Sequence, residues 1–115
     1  MILSLHGAGE RGAYGLIQTR VGLPVAVRFN VERWPAIMVM PQVAEDATWV
    51  GTFGDVALAA IDATETEYST DVDRVCLTGL SMGEAGSWYL GVTTRRGTLV
   101  PSSILRSRSP NSLRP

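Results

Sequence analysis

An α/β fold built on a parallel sheet is predicted for this 115-residue chain by three observations. Short apolar runs recur at positions 2–5, 35–41 and 72–78. An amphipathic stretch of helical period, 54–68, separates the second run from the third. Glycine, proline and short polar residues punctuate the joints. Apolar strands alternating with helical segments must bury both faces, which is the property of parallel sheets covered by helices.

The elements follow in order. Ile2 to Leu5 reads as a buried strand beginning almost at the first residue. Positions 6–15 form a loop with four glycines, Gly7, Gly9, Gly12 and Gly15, and a loop or weak helix follows over 16–22. The run 35–41 reads as a second strand, bracketed by Pro35 and Pro41. Positions 42–49 are loop. The best helix spans 54–68, with Val56, Ala57, Ala60, Ile61, Thr64 and Tyr68 on one face. Asp55, Asp62, Glu65 and Thr66 fall on the other face, with Leu58 out of place among them. The third strand runs over 72–78, and a short helix follows over 82–90. Three parallel strands with flanking helices make a thin sheet whose two open edges invite self-association, so a homo-oligomer is an expectation.

Composition narrows the classes. The length suits one small domain, and 45% hydrophobic residues is usual for a soluble globular protein. No apolar run approaches the roughly 20 residues that span a membrane. The N-terminus has no basic region ahead of its apolar run and does not read as a signal peptide, so the default location is cytoplasmic. The single cysteine, Cys76, lies in the third strand and reads as a buried structural thiol. No zinc-type Cys/His cluster and no phosphate-binding loop is present, and no cofactor or metal is expected. Positions 1–90 hold 11 acidic residues and 5 arginines, whereas 91–115 hold 5 arginines and no acid. That basic tail has neither interleaved aromatics nor a nucleic-acid motif, so nucleic acid is not an expected partner. Positions 93–115 are rich in Arg, Ser and Pro with little hydrophobic periodicity beyond Leu99-Val100 and Ile104-Leu105. The division is therefore a core over 1–90 and an irregular tail over 91–115.

Gly79-Leu80-Ser81-Met82-Gly83 stands where the third strand ends and a helix begins. A G-x-S-x-G in that setting is the strand–turn–helix elbow that projects a nucleophilic serine above a sheet. Flanking glycines let strand and helix approach without Cβ clashes. The pentapeptide alone is weak, and a glycine-rich turn with an exposed, inert serine fits it equally well.

Further blocks accompany the elbow: Leu5-His6-Gly7-Ala8-Gly9-Glu10-Arg11-Gly12, Pro35-Ala36-Ile37-Met38-Val39-Met40-Pro41-Gln42, Trp49, and Leu77 to Trp88. Together, over about residues 1–90, they resemble the α/β-hydrolase esterases, in the branch of polyhydroxybutyrate-depolymerase-like and feruloyl-esterase-like enzymes. The resemblance implies a partial α/β-hydrolase fold in which the first and third strands are sheet neighbours. It implies Ser81 as nucleophile on an ester carbonyl, with a small-molecule ester of short acyl or aryl type as substrate. The Met82 N–H would be one oxyanion donor, and the loop after the first strand would give the other, Ala8 with Gly7 close by. Trp49 would line the substrate pocket or fill the core. Glu10 and Arg11 would fix the loop, with a site for a substrate carboxylate as the sharper reading of Arg11.

The pattern then breaks. The family's acid and histidine follow the nucleophile, but this chain has no Asp, Glu or His after Glu84. Its one histidine, His6, precedes Ser81 and would serve either as general base or as a support of the loop backbone. Asp71 and Asp73 lie at the wrong end of the third strand. Glu84 stands where the family usually has glycine, and its charge would oppose a developing oxyanion. The abrupt change near Gly91, and a start inside a strand, suggest a truncated or frame-shifted relative. Impaired activity is expected, and a non-catalytic fragment or binding module is the alternative.

Overall fold

The computed structural model describes residues 1–94 and the backbone of Val100 and Pro101. Among the described residues four strands, all parallel, form one sheet in the order β2-β1-β3-β4. They are β1 (Ile2–Leu5), β2 (Met38–Val39), β3 (Cys76–Gly79) and β4 (Val100–Pro101). Three α-helices accompany them: α1 (Leu23–Phe29), α2 (Thr52–Glu67) and α3 (Met82–Thr93). Short 3-10 turns lie at Ala8–Glu10, Ile17–Arg20 and Val31–Arg33.

The two longest strands are central and fully in register, from Ile2 opposite Cys76 to Leu5 opposite Gly79. That neighbourhood is the one implied by the esterase resemblance. Alternation along a strand sends Leu3, Leu5 and Leu77 to one face. There they join Ala57 and Ile61 of α2, Leu90 of α3, and Val43, Trp49 and Val75 in one buried cluster. Ile2, Ser4, Cys76 and Thr78 take the other face. Burial pushes the half-buried Cys76 thiol up from its ordinary value, so it stays protonated at neutral pH. Leu77 is completely buried in the cluster. Leu77→Ala should cost about 2–5 kcal/mol, read as a lower thermal midpoint by circular dichroism.

Several expected elements differ in extent. The run 35–41 contributes only the two residues of β2. Pro35 and Pro41 flank it, and proline cannot extend a hydrogen-bonded ladder. The third strand begins at Cys76 rather than at position 72, because an aspartate turn precedes it. In that turn the Asp71 side chain accepts from the Asp73 N–H at 3.0 Å, and the Asp71 carbonyl accepts from the Arg74 N–H at 3.0 Å.

In α2 the buried residues are Gly54, Ala57 and Ile61, with Leu58 packed against the core. Val56 and Tyr68, expected on the apolar face, are exposed. Helix α1 was not foreseen. It starts from Gly22 at φ 75° and carries Pro24 in its first turn, where the missing N–H costs nothing. Helix α3 continues to Thr93, and Val100–Pro101 adds a fourth strand beside Cys76–Leu77. The remainder of the expected irregular tail, 95–99 and 102–115, lies outside the described residues.

Candidate active site

The chain leaves β1 toward β2 on one side of the sheet, and leaves β3 toward β4 on the other. The loops after these two adjacent strands therefore diverge and open a crevice at their C-terminal ends. Crevices at such a reversal of strand order are where open α/β sheets bind ligands. Ser81 and the Gly7 loop stand on its two sides.

Ser81 is the N-cap of α3 and has φ 56° and ψ −111°. An L-residue rarely adopts positive φ, and holding one there costs about 1–3 kcal/mol. The surrounding bonds enforce it. The Leu80 N–H reaches the Leu5 carbonyl at 3.1 Å, and the Gly83 N–H reaches the Leu80 carbonyl at 2.9 Å. The Ser81 carbonyl accepts from the Glu84 N–H at 2.9 Å and from the Ala85 N–H at 3.3 Å. The glycines two residues either side have distinct jobs. A Cβ on Gly79 would overlap the Gly83 carbonyl, closing off the turn itself. A Cβ on Gly83 would overlap the Leu5 carbonyl, so this glycine sets the approach of α3 to β1. Ser81 is solvent-exposed, and Met82 is the first residue of α3. An N–H at that position has no partner within the helix.

Across the crevice, a Cβ on Gly7 would lie 3.2 Å from the Leu80 carbonyl oxygen and 3.6 Å from Ser81 Cβ. The glycine loop thus touches the elbow through bare backbone. The Gly7 N–H is spent on Glu10 Oε1 at 3.2 Å. The Ala8 N–H is the neighbouring backbone donor of the loop. Arg11 fixes the loop by donating from Nε to the Ala47 carbonyl at 2.7 Å and from Nη2 to Met82 Sδ at 3.1 Å. Gln42 Nε2 holds the Glu10 carbonyl at 2.9 Å. Arg11 is therefore tied down as a brace between the loop, the segment after β2 and α3.

His6 is buried, and both ring nitrogens are engaged. Nε2 accepts from the Val43 N–H at 3.0 Å, which places the ring proton on Nδ1. Nδ1 then donates to the Gly7 carbonyl at 2.6 Å. The His6 carbonyl accepts from Trp49 Nε1 at 2.9 Å, and the two rings meet edge to face at 5.0 Å. Of the two roles open to His6, this geometry serves backbone support and leaves no nitrogen for Ser81. Trp49 is 1% exposed, so it fills the core rather than lining a pocket. Its fit depends on Gly86, where an added Cβ would come within 2.5 Å of Trp49 Cβ.

A cavity of about 460 Å³ adjoins Ser81, with His6, Glu10, Gln18, Leu23 and Glu84 in its wall. Gln18 and Leu23, from the 3-10 turn at Ile17–Arg20 and from α1, are wall residues that sequence reasoning missed. A buried glutamine in a stretch read as loop has no distinguishing pattern. Asp71 and Asp73 precede β3 at the end of the sheet away from Ser81.

A parallel α/β sheet with a strained serine at the strand-to-helix turn, faced by a glycine loop at the switch point, is esterase-like architecture. In three dimensions the chain is similar to a thermostable esterase of known crystal structure, with TM-score 0.69 and 29% sequence identity over 83% of this chain. The matched region spans 29% of that esterase's own length. No protein-family model matches the chain, and no curated protein does.

Proposed function

We propose that the chain is a serine carboxylic ester hydrolase of low activity, working through an acyl-enzyme on Ser81. The observation that carries this reading is the serine itself, strained at φ 56° and set against the backbone of Gly7. Such strain is retained where a side chain must be presented. Ser81 Oγ attacks the ester carbonyl and loses its proton to water. The carbonyl oxygen, now negative, takes hydrogen bonds from the Met82 and Ala8 N–H groups. The C–O bond to the alcohol then breaks, and the alcohol leaves protonated by water. A second water hydrolyses the acyl-serine by the same route. Each backbone donor of this kind is worth about 3 kcal/mol of barrier. Short acyl and aryl esters fit a cavity of about 460 Å³.

Among the described residues no imidazole is free to serve as the base. His6 is occupied at both nitrogens, and no Asp, Glu or His follows Glu84 in the sequence. The rate should therefore climb with pH without an inflection in the imidazole range. Positioning and oxyanion donors without a triad still leave about 10³–10⁴-fold catalysis over water in serine proteases.

The test is p-nitrophenyl butyrate hydrolysis by the parent chain and by Ser81→Ala, with mass-spectrometric location of a fluorophosphonate label. Label on Ser81 and turnover lost in Ser81→Ala are expected. Equal turnover in both proteins sinks the catalytic reading. The second reading, a non-catalytic binding module of the same fold, is favoured by the engaged His6. It predicts no label and no Ser81-dependent turnover.

A further inference from the structure

We propose that Arg11 is a positioning residue for the oxyanion site, holding the Met82 and Ala8 backbone donors in place and adding a positive charge beside them. The inference deepens the ester-hydrolase reading and rests on it. What Arg11 joins, and which acceptors hold it, carry the argument.

Arg11 joins the two halves of the site. Its N–H donates to the Ala8 carbonyl at 3.4 Å, at the end of the 3-10 turn Ala8–Glu10. Its Nη2 donates to Met82 Sδ at 3.1 Å, at the first residue of α3. Ala8 and Met82 are the two residues whose N–H groups face the oxyanion in the ester-hydrolase reading. They lie on separate elements, one after β1 and one after β3. Donors on separate elements can drift apart, and a site of this kind must hold its geometry to about 0.5 Å. The guanidinium is a rigid planar fork, so pinning one nitrogen aims the other. Nε is pinned on the Ala47 carbonyl at 2.7 Å, in the segment after β2. The loop is anchored to that same segment by Gln42 Nε2 on the Glu10 carbonyl at 2.9 Å and by the Gly12 N–H on the Val43 carbonyl at 2.9 Å. Arg11 extends this anchorage to Met82.

The acceptors matter as much as the span. A carbonyl and a thioether are neutral, and the thioether is a weak acceptor. They orient the guanidinium without cancelling its charge, as a carboxylate in either place would. The first residue of α3 also stands at the positive end of the helix dipole, so two positive groups lie side by side in the resting protein. Negative charge forming on the ester oxygen is attracted by both. The attraction is weak toward the neutral ester and strong toward the transition state, which is the difference that speeds a reaction. Arg11 does not line the cavity beside Ser81, so it works through Met82 and through its field rather than by touching the ester.

The test compares an anionic adduct with a neutral look-alike. Butylboronic acid forms a B–O bond with Ser81 Oγ, whose proton passes to water, and the boron becomes tetrahedral and negatively charged. Pentanamide is of similar size, uncharged and unreactive. Both are titrated against the isotope-labelled chain by NMR, with the boron-11 signal reporting the adduct. Met82→Leu keeps the backbone N–H and nearly the same volume but removes the acceptor of Arg11. Arg11→Met removes both the donor and the charge. Met82→Leu should weaken the boronate a few-fold and Arg11→Met about tenfold, the scale of charge interactions at partly buried helix ends. Pentanamide binding should stay within about twofold, and for p-nitrophenyl butyrate kcat should fall with KM unchanged. The double variant should match Arg11→Met, because both changes remove one link. Equal weakening of boronate and amide makes Arg11 merely structural and overturns the proposal. So do unchanged boronate binding in Met82→Leu and additive losses in the double variant. Met82→Leu should fold even if Arg11→Met does not. Adduct formation without turnover overturns only the ester-hydrolase reading. Turnover with equal boronate affinity in the parent and Met82→Leu overturns only the role of Arg11. No boron adduct in the parent, with no fluorophosphonate label on Ser81, overturns both.

Discussion

Gly83→Ala is expected to keep the chain from reaching its native fold. The added methyl would overlap the Leu5 carbonyl and come within 2.8 Å of the His6 carbonyl oxygen. Both obstacles are backbone, one in the central strand and one at its end, so neither can swing aside as a side chain would. Overpacking an ordinary core site costs about 1–3 kcal/mol because side chains and backbone share the adjustment. Here the adjustment must come from lifting α3 off β1, which would also part Ser87 and Leu90 from their buried positions. The cost should exceed the 4–5 kcal/mol that marks exceptional single substitutions. That is a large share of the 5–15 kcal/mol that holds a small domain together. Gly9→Ala is the control, since nothing lies within 4 Å of a Cβ there. Circular dichroism melts should show the parent transition for Gly9→Ala and none for Gly83→Ala. A Gly83→Ala melt within a few degrees of the parent would show that α3 does not depend on this close approach.

What the sequence discloses of this fold follows from how local each feature is. The first strand, the elbow and the helix after it are legible because runs of apolar residues and paired glycines impose them within a few positions. The central pairing of β1 with β3 joins residues more than seventy positions apart, and only the resemblance to esterases supplied it. Helix α1 went unread because Leu23-Pro24-Val25-Ala26-Val27-Arg28-Phe29 is only seven residues long, and its proline and two β-branched valines offset the helix formers Leu23, Ala26 and Arg28. It forms over a proline-tolerant first turn and exposes Phe29. In α2 the periodicity placed Ala57 and Ile61 on the buried face and missed only at its margins. Val56 and Tyr68 face solvent, while Leu58 packs inward beside Ala57 and Ile61. Loop side chains are harder still. The bonds of His6 to Val43 and Gly7, and of Arg11 to Ala47, depend on where the segment after β2 comes to rest. Nothing in the residue types near His6 announces them. The wall residue Gln18 belongs to the same kind, placed by contact with Met40 rather than by pattern.

Ser81→Gly should abolish ester hydrolysis and yet raise the melting temperature. The backbone of residue 81, at φ 56° and ψ −111°, is the mirror image of an ordinary extended conformation. Glycine has no handedness and occupies the mirror region freely, whereas the serine Cβ does not. Relief of that strain is worth about 1–3 kcal/mol. Against it stands the extra backbone entropy glycine loses on folding, about 0.5–1 kcal/mol. The balance favours glycine, and for a domain of this size each kcal/mol moves the midpoint by about 4–8 °C. Ser81→Ala serves as the comparison, because it removes the hydroxyl but keeps the Cβ and with it the strain. Both variants should lose Ser81-dependent turnover, and only glycine should gain several degrees by calorimetry. If Ser81→Gly melts at or below the parent, the turn is set by the bonds around it at no cost. The serine's conformation would then carry no evidence of selection for presenting a hydroxyl. If glycine does stabilise, the chain gives up stability to hold Ser81 in place, as a side chain kept for chemistry requires.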